Sequence, residues 1–274
     1  MRDLMIRKFP KYIVEPVVLV ETENFLVKLA ENHEEIENAQ RLRYKVFNLE
    51  QKRGLKNTDK YGIDFDEFDE YCMHLIVIEK CSGNVVGTYR IHLGCIANSA
   101  KGFYSSKEYE IHGLYNLADK CIELGRTCIE PKYRSGSIIA FMWGAITELL
   151  VRANLTYMLG CVSLENMEPA AGWALYEYLY RKNLVCREIT AIPRPGFTLE
   201  RPSRQEIENG LADEAGLKKS IPPLFKGYLH LGALICGEPA IDRDFGTIDF
   251  FIILDINRVP ERYKRHFNYR KKTE

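Results

Sequence analysis

The chain has 274 residues, 46% of them hydrophobic and 28% charged, with 38 basic and 38 acidic side chains. That length can bury a substantial core, and the even balance supplies no global field to steer a nucleic acid, so no nucleic-acid partner is expected. Eight scattered cysteines contain no Cys-x-x-Cys pair, which excludes a zinc knuckle and a redox motif and fits a reducing compartment. No apolar run approaches the ~20 residues that span a bilayer. Glu15 and Pro16 interrupt the apolar start, so no signal peptide is read there and the protein is expected to be cytoplasmic.

Residues 1–21 show no clear periodicity and read as an arm. In the stretch "NFLVKLAENHEEIENAQRLRYKVFNLEQKRG", Ile36, Ala39, Leu42, Val46 and Leu49 recur at helical spacing, which predicts a helix with one buried face that ends at Gly54. "NTDKYGIDFDEFDEYC" is an acidic loop. "MHLIVIEK" and "NVVGTYRIHLG" are apolar strands joined by the turn "CSGN". "SSKEYEIHGLYNLA" reads as a short helix and "KCIELGRTCIE" as a strand. A turn from Pro131 to Ser137 leads into the helix "IIAFMWGAITELLVRAN", followed by the strand "LTYMLGCVSL" and the helix "EPAAGWALYEYLYRKN". Residues 187–223 read as a long connection, with a short helix opened by the capping box Ser203 to Glu206. Two strands, "GYLHLGALICG" and "GTIDFFIIL", close the chain before a basic tail, 258–274. The order predicts one α/β domain over 1–274, with a mixed sheet and helices on both faces.

One stretch carries more than structure. In "ELGRTCIEPKYRSGSI" the polar Glu123 and Arg126 sit three apart in an apolar strand. In a regular strand two such residues point to opposite faces unless a bulge intervenes. Either they form a structural ion pair, or Glu123 is a general base beside a polar site. The turn that follows, with Arg134, Ser135, Gly136 and Ser137, opens a helix N-terminus, where backbone N–H groups and an arginine can hold phosphate. Cys161 and Ser163 read as core, because no partner is placed to activate them, and His74 and His92 read as core histidines.

Strand, small basic turn, amphipathic helix, strand and helix together resemble the cofactor-binding centre of the GNAT acyltransferase fold. Four motifs bring the chain close to the branch of acyl-homoserine-lactone synthases and N-acyl amino acid synthases. They are "RYKVF" from Arg43 to Phe47, "DEFD" with Asp66 and Asp69, Arg90 in "GTYRIH", and Glu123-x-x-Arg126. The late block "PPLFKGYLHLGALICGEPAIDRDFGTIDFFIIL" extends the resemblance to the ornithine N-acyltransferases of ornithine-lipid synthesis, often labelled hemolysin-like.

The resemblance implies a GNAT-like, mostly antiparallel central sheet. It also implies an enzyme with no bound cofactor that transfers a 3-hydroxyacyl group from acyl carrier protein, or from CoA, to the α-amine of ornithine. On it, Glu123 and Arg126 are the catalytic pair, and Arg134, Ser135, Gly136 and Ser137 hold the phosphopantetheine phosphate. Arg43, Asp66, Asp69 and Arg90 bind the acceptor or order the acidic loop, and Tyr176 or Tyr180 protonates the leaving thiolate. No metal is implied. The autoinducer synthases carry a tryptophan before the acidic motif, whereas the first here is Trp143, and the late block is foreign to them. A lactone synthase is therefore the first alternative, and a non-catalytic acyl-binding protein at a membrane is the second. Seven basic residues from Arg258 to Glu274 suit contact with an anionic membrane or an acidic partner.

Overall fold

The computed structural model describes residues 15, 17–55, 60–134 and 136–263. Within them the strands are, in chain order, β1 (Val18–Glu21), β2 (Phe25–Leu29), β3 (Met73–Glu79), β4 (Val85–Leu93), β5 (Tyr109–His112), β6 (Cys121–Ile129), β7 (Tyr157–Leu164), β8 (Thr190–Pro193), β9 (Leu234–Ile235), β10 (Ala240–Asp242) and β11 (Thr247–Asp255). The α-helices are α1 (His33–Tyr44), α2 (Gly94–Ser99), α3 (Ser137–Arg152), α4 (Pro169–Arg181), α5 (Arg204–Ala212), α6 (Glu214–Ser220) and α7 (Pro223–Leu231). The chain divides into two compact units. One takes the residues up to Leu93, Leu124–Thr156 and those from Pro260 on, and the other takes Gly94–Glu123 and Tyr157–Val259.

In the first unit β1, β2, β3 and β4 pair antiparallel in that order, and the later part of β6 follows β4. Ile76 and Val77 are consecutive on β3 and so face opposite sides. Ile76 joins Ile36 and Ala39 of α1 in one apolar cluster. On the other side Gly87, opposite Val77, lets Ile138 and Met142 of α3 come close, because a Cβ there would stand 3.0 Å from Ile138. Helices thus cover both faces of this sheet. Asn32 starts α1 by accepting a hydrogen bond from Glu35 N–H at 3.0 Å. The helix then widens into a π-helical turn, Lys45–Glu50, which rotates Leu49 off the buried face and leaves it 61% exposed.

In the second unit the first residues of β6 pair parallel with β7, Glu123 opposite Leu159. β11 runs antiparallel along the whole of β7, with Asp249 opposite Ser163 and Phe251 opposite Cys161, and β10 pairs beyond it. Ile248 and Phe250 face α4 and α7, with Phe225 5.5 Å from Phe250 ring to ring. Leu159, Phe251 and Ile253 face the other way, onto Ala97, Phe103 and Tyr109. The expected mixed, mostly antiparallel α/β architecture is present, with β6–β7 as its parallel step.

Several elements differ from the sequence expectation. The end of the expected arm is β1, and "NFLVKL" is β2 rather than the start of the helix. "SSKEYEIHGLYNLA" forms 3-10 turns around β5, which pairs with β8. The long connection, 187–223, carries β8, α5 and α6, and its capping box forms as expected. "GYLHLGALICG" begins as the later part of α7, which is started by Pro223 and stopped at Gly232 with φ +98°, and only Leu234–Ile235 of it is strand. Of the basic tail, 264–274 lies outside the described residues.

Candidate active site

The first unit encloses a network of charge. Arg43 is 0% exposed. Its Nε donates to Asp64 Oδ1 at 2.9 Å, and its two terminal nitrogens donate to Asp69 at 2.7 and 3.0 Å. A terminal nitrogen of Arg43 also donates to the Asp64 carbonyl. Arg90 Nη1 lies 2.6 Å from Asp66 Oδ1 and 3.4 Å from Asp69 Oδ2. Arg126 approaches Asp64 at 3.7 Å and Asp66 at 3.6 Å. Three guanidinium groups therefore face three carboxylates. Burial works against the charge on Asp69, but Arg43 and Arg90 outweigh it and hold the carboxyl well below its usual range. Asp66 is held down in the same way, chiefly by Arg90. Burial pulls the neighbouring His74 down to about 4, so it is a neutral core imidazole as its sequence context suggested. Arg126 has φ +49° and breaks the alternation of β6, one of the two arrangements that the Glu-x-x-Arg spacing in a strand left open.

In the second unit Glu123 is buried at 4% exposure. Tyr104 N–H donates to Oε2 at 2.6 Å, while Ser105 N–H and Ser105 Oγ–H donate to Oε1 at 2.7 and 2.6 Å. Two backbone donors and a hydroxyl fix the carboxylate in place. The 3-10 turn Tyr104–Lys107 that supplies these donors was read from sequence as the start of a helix, so Ser105 was missed. Cys161 Sγ–H donates to Ser105 Oγ at 3.5 Å. Burial, and after it Glu108, hold that thiol well above its ordinary range, so it is not a thiolate nucleophile.

The turn before α3 is exposed. Pro131–Tyr133 forms a 3-10 turn, and Gly136 sits at φ +97° with no atom within 4 Å of where a Cβ would be. Ser137 then opens a helix of 16 residues, and Gly136 contributes no capping side chain to it. Arg134 donates to the Glu50 carboxylate at 2.6 and 2.8 Å and to the Ile129 carbonyl at 2.9 Å. Ser135 lies outside the described residues. The N-terminal amides of α3 are donors of the kind that hold anions, while the Arg134 guanidinium is engaged by Glu50.

Tyr176 stacks on Tyr180 at 6.4 Å and meets Trp173 edge-on at 5.5 Å, while Tyr180 is 59% exposed. Sequence reasoning also missed Asp64, one acid among several in the acidic loop. A third missed group is Glu108, Asp242 and Asp249, whose carboxylate oxygens lie within 4.8 Å of one another. The signal for Asp249 was available as an acid inside the apolar run "TIDFFIIL".

Residues 42–144 match the acetyltransferase (GNAT) domain family. The fold is similar to that of FeeM, an N-acyl amino acid synthase from uncultured soil microbes, with a TM-score of 0.50 at 10% identity over 85% of this chain and 90% of that one. The fold is that of the GNAT class, and the domain match over residues 42–144 agrees with it. The chain is 34% identical over 269 residues to an L-ornithine N(alpha)-acyltransferase of Brucella abortus, covering 92% of both chains. It is 30% identical to one of Agrobacterium fabrum, covering 88% of this chain and 84% of that relative. The chain belongs to the family of L-ornithine N(alpha)-acyltransferases.

Proposed function

We propose that this enzyme moves a long-chain 3-hydroxyacyl group from acyl carrier protein, or from CoA, to the α-amine of ornithine, and that 1–274 acts as one catalytic domain. The observation that carries this reading is the buried, triply hydrogen-bonded Glu123 carboxylate in a chain of this family. Glu123 takes the proton of the attacking ammonium, directly or through water. Amine attack on the thioester carbonyl then gives the amide and releases the carrier thiol. Arg126 is proposed to orient the acceptor carboxylate. Arg43, Asp66, Asp69 and Arg90, paired among themselves, are proposed to order the acidic loop that presents it. Arg134, Ser135, Gly136 and Ser137 are proposed to hold the phosphopantetheine phosphate, which the exposed helix N-terminus supports. Among the described residues no helix is long and apolar enough to cross a membrane. A cytoplasmic enzyme whose basic tail meets the anionic membrane surface suits a product that is itself a lipid.

Mass spectrometry of lipids from a host expressing the chain tests this. An amide-linked 3-hydroxyacyl ornithine is expected, and it should be absent with a folded Glu123→Gln control, whose kcat should fall roughly 100- to 10,000-fold. Full activity in that variant would remove Glu123 from the base role, and an acyl-homoserine lactone in place of the amide would turn the assignment to a lactone synthase.

A further inference from the structure

We infer that Cys186 and Cys236 form a thiol–disulfide exchange site, at which Cys186 takes up a low-molecular-weight disulfide and Cys236 resolves the adduct into an internal disulfide. The site is independent of acyl transfer.

The fold makes a cysteine pair that the chain order conceals. The two residues stand 50 positions apart, so the absence of Cys-x-x-Cys does not bear on them. Both belong to the second unit. The chain after α4 meets β9 in a parallel bridge, with Val185 beside Ile235. Ile235 N–H donates to the Leu184 carbonyl at 3.0 Å, and Cys186 N–H donates to the Ile235 carbonyl at 2.7 Å. The next residue along each segment is therefore a cysteine, one beside the other. Neighbouring strands lie about 4.8 Å apart, and residues in register on them point to one face. That separation falls within the roughly 4.4–6.8 Å between α-carbons that a disulfide spans. The two thiols are in contact, the Cys236 S–H donating to the Cys186 sulfur. Neither cysteine is bridged, and both pack in the apolar cluster that holds Ala191 and Phe251. Cys236 N–H donates to the Phe251 carbonyl at 2.9 Å and Ala191 N–H donates to the Cys236 carbonyl, so the backbone of Cys236 is pinned on both sides.

The two thiols differ in a way that orders the chemistry. Cys186 is half-buried and open to a small reagent, while Cys236 is 1% exposed. The Cys236 thiol and the backbone N–H groups of Ile189 and Glu188 favour the Cys186 thiolate against burial and bring that thiol down to about 7. Cys186 itself, and burial after it, hold the Cys236 thiol well above its ordinary range. Burial pushes the Cys121 thiol up to about 12 and raises those of Cys128 and Cys161 as well, so these three do not compete. Cys186 thus carries thiolate at neutral pH, as the attacking thiol must. Its sulfur attacks one sulfur of the reagent disulfide, whose S–S bond breaks and releases one thiolate. Cys186 is then capped and uncharged, which removes the largest cause of the elevation at Cys236. The Cys236 thiol gives up its proton and attacks the Cys186 sulfur, and the second reagent thiolate leaves. The cysteine pair is oxidised by two electrons, and the reagent is reduced to two thiols that take up the two cysteine protons.

Oxidised glutathione is the probe, added to the full reduced chain at about pH 7. Free thiols are then capped with iodoacetamide and the peptides mapped by mass spectrometry without reductant. The wild type should give a linked Cys186–Cys236 peptide that dithiothreitol removes. Cys236→Ala should stop at a glutathione adduct on Cys186, and Cys186→Ser should leave Cys236 a free thiol. The oxidised wild type should melt roughly 5–15 °C above the reduced chain, because the link closes a long loop in the unfolded state. The wild-type map carries the test if either variant fails to fold. A link that forms only in urea overturns the site, since the native register then does not bring the thiols together. So does a wild type that keeps glutathione on Cys186 with Cys236 free, or one modified only at the exposed Cys81 and Cys95.

Discussion

At the scale of single residues, exposure decides what an ion pair is worth. Arg43 lies between Asp64 and Asp69 with no solvent contact, whereas Arg134 and Glu50 are 39% and 37% exposed. Arg43→Met strands two buried carboxylates and is expected to cost about 3–5 kcal/mol of stability in urea unfolding. Arg134→Ala should cost about 0–1 kcal/mol in the same experiment. Equal losses would mean that water replaces the Arg43 guanidinium. Arg43, Asp69 and Arg90 were legible in the sequence because charged residues stood in apolar runs or in a recognised motif. Asp64 was not, because an acid among acids in a loop reads as solvated, and its burial depends on Arg43, 21 residues away. Glu108 and Asp249 were hidden for a related reason. They stand 141 positions apart, and only the folding of β11 beside β7 and β5 brings them together.

At the scale of elements, the turn into α3 was legible because Pro131 and Gly136 punctuate it, and its conformation gives it a testable use. Gly136 at φ +97° occupies a region that a β-branched residue enters only under strain. Gly136→Val should displace the first amides of α3 and raise the KM for the acyl donor roughly tenfold or more. The KM for the amino acid should stay near its wild-type value. A variant whose two KM values rise together would place the donor phosphate elsewhere. The late block was harder to read. Its apolar residues fit a strand and a helix about equally over so short a run. The local signals, Pro223 at the first helical position and Gly232 just past the last, decide for α7. In α1 the π-helical turn shifts the periodicity by a residue, which no count at a spacing of 3.6 anticipates.

Over the whole molecule the two buried acidic groups respond to pH in opposite directions, a property that the balanced charge count conceals. His74 falls from its ordinary 6.5 to about 4. Between those values the unfolded chain binds a proton that the folded chain refuses, so acidification through this window removes about 3 kcal/mol of stability. Burial, together with the neighbouring acids, pushes Asp249 up from 3.8 to about 6. There the folded chain binds the proton first, and the same acidification returns about 3 kcal/mol. Glu108, raised by burial and by Asp249, acts in the same direction as Asp249. Asp69 responds last. Its folded-state pKa is depressed, so the stability it contributes is full above its ordinary 3.8 and is lost as the pH falls below that. With Asp249 and Glu108 offsetting His74, the wild type should lose no stability from about pH 7 to about pH 5 and should unfold steeply below about pH 4. Asp249→Asn removes the compensating group. The variant should exceed the wild type at about pH 7, where the buried charge is a cost, and lose that advantage by about pH 4, where Asp249 of the wild type has taken up its proton. Urea unfolding of both proteins across this range measures the difference directly. An advantage that stays constant with pH would mean that Asp249 does not titrate in the folded chain, and the counterion for its charge would then have to be sought among groups not yet assigned to it.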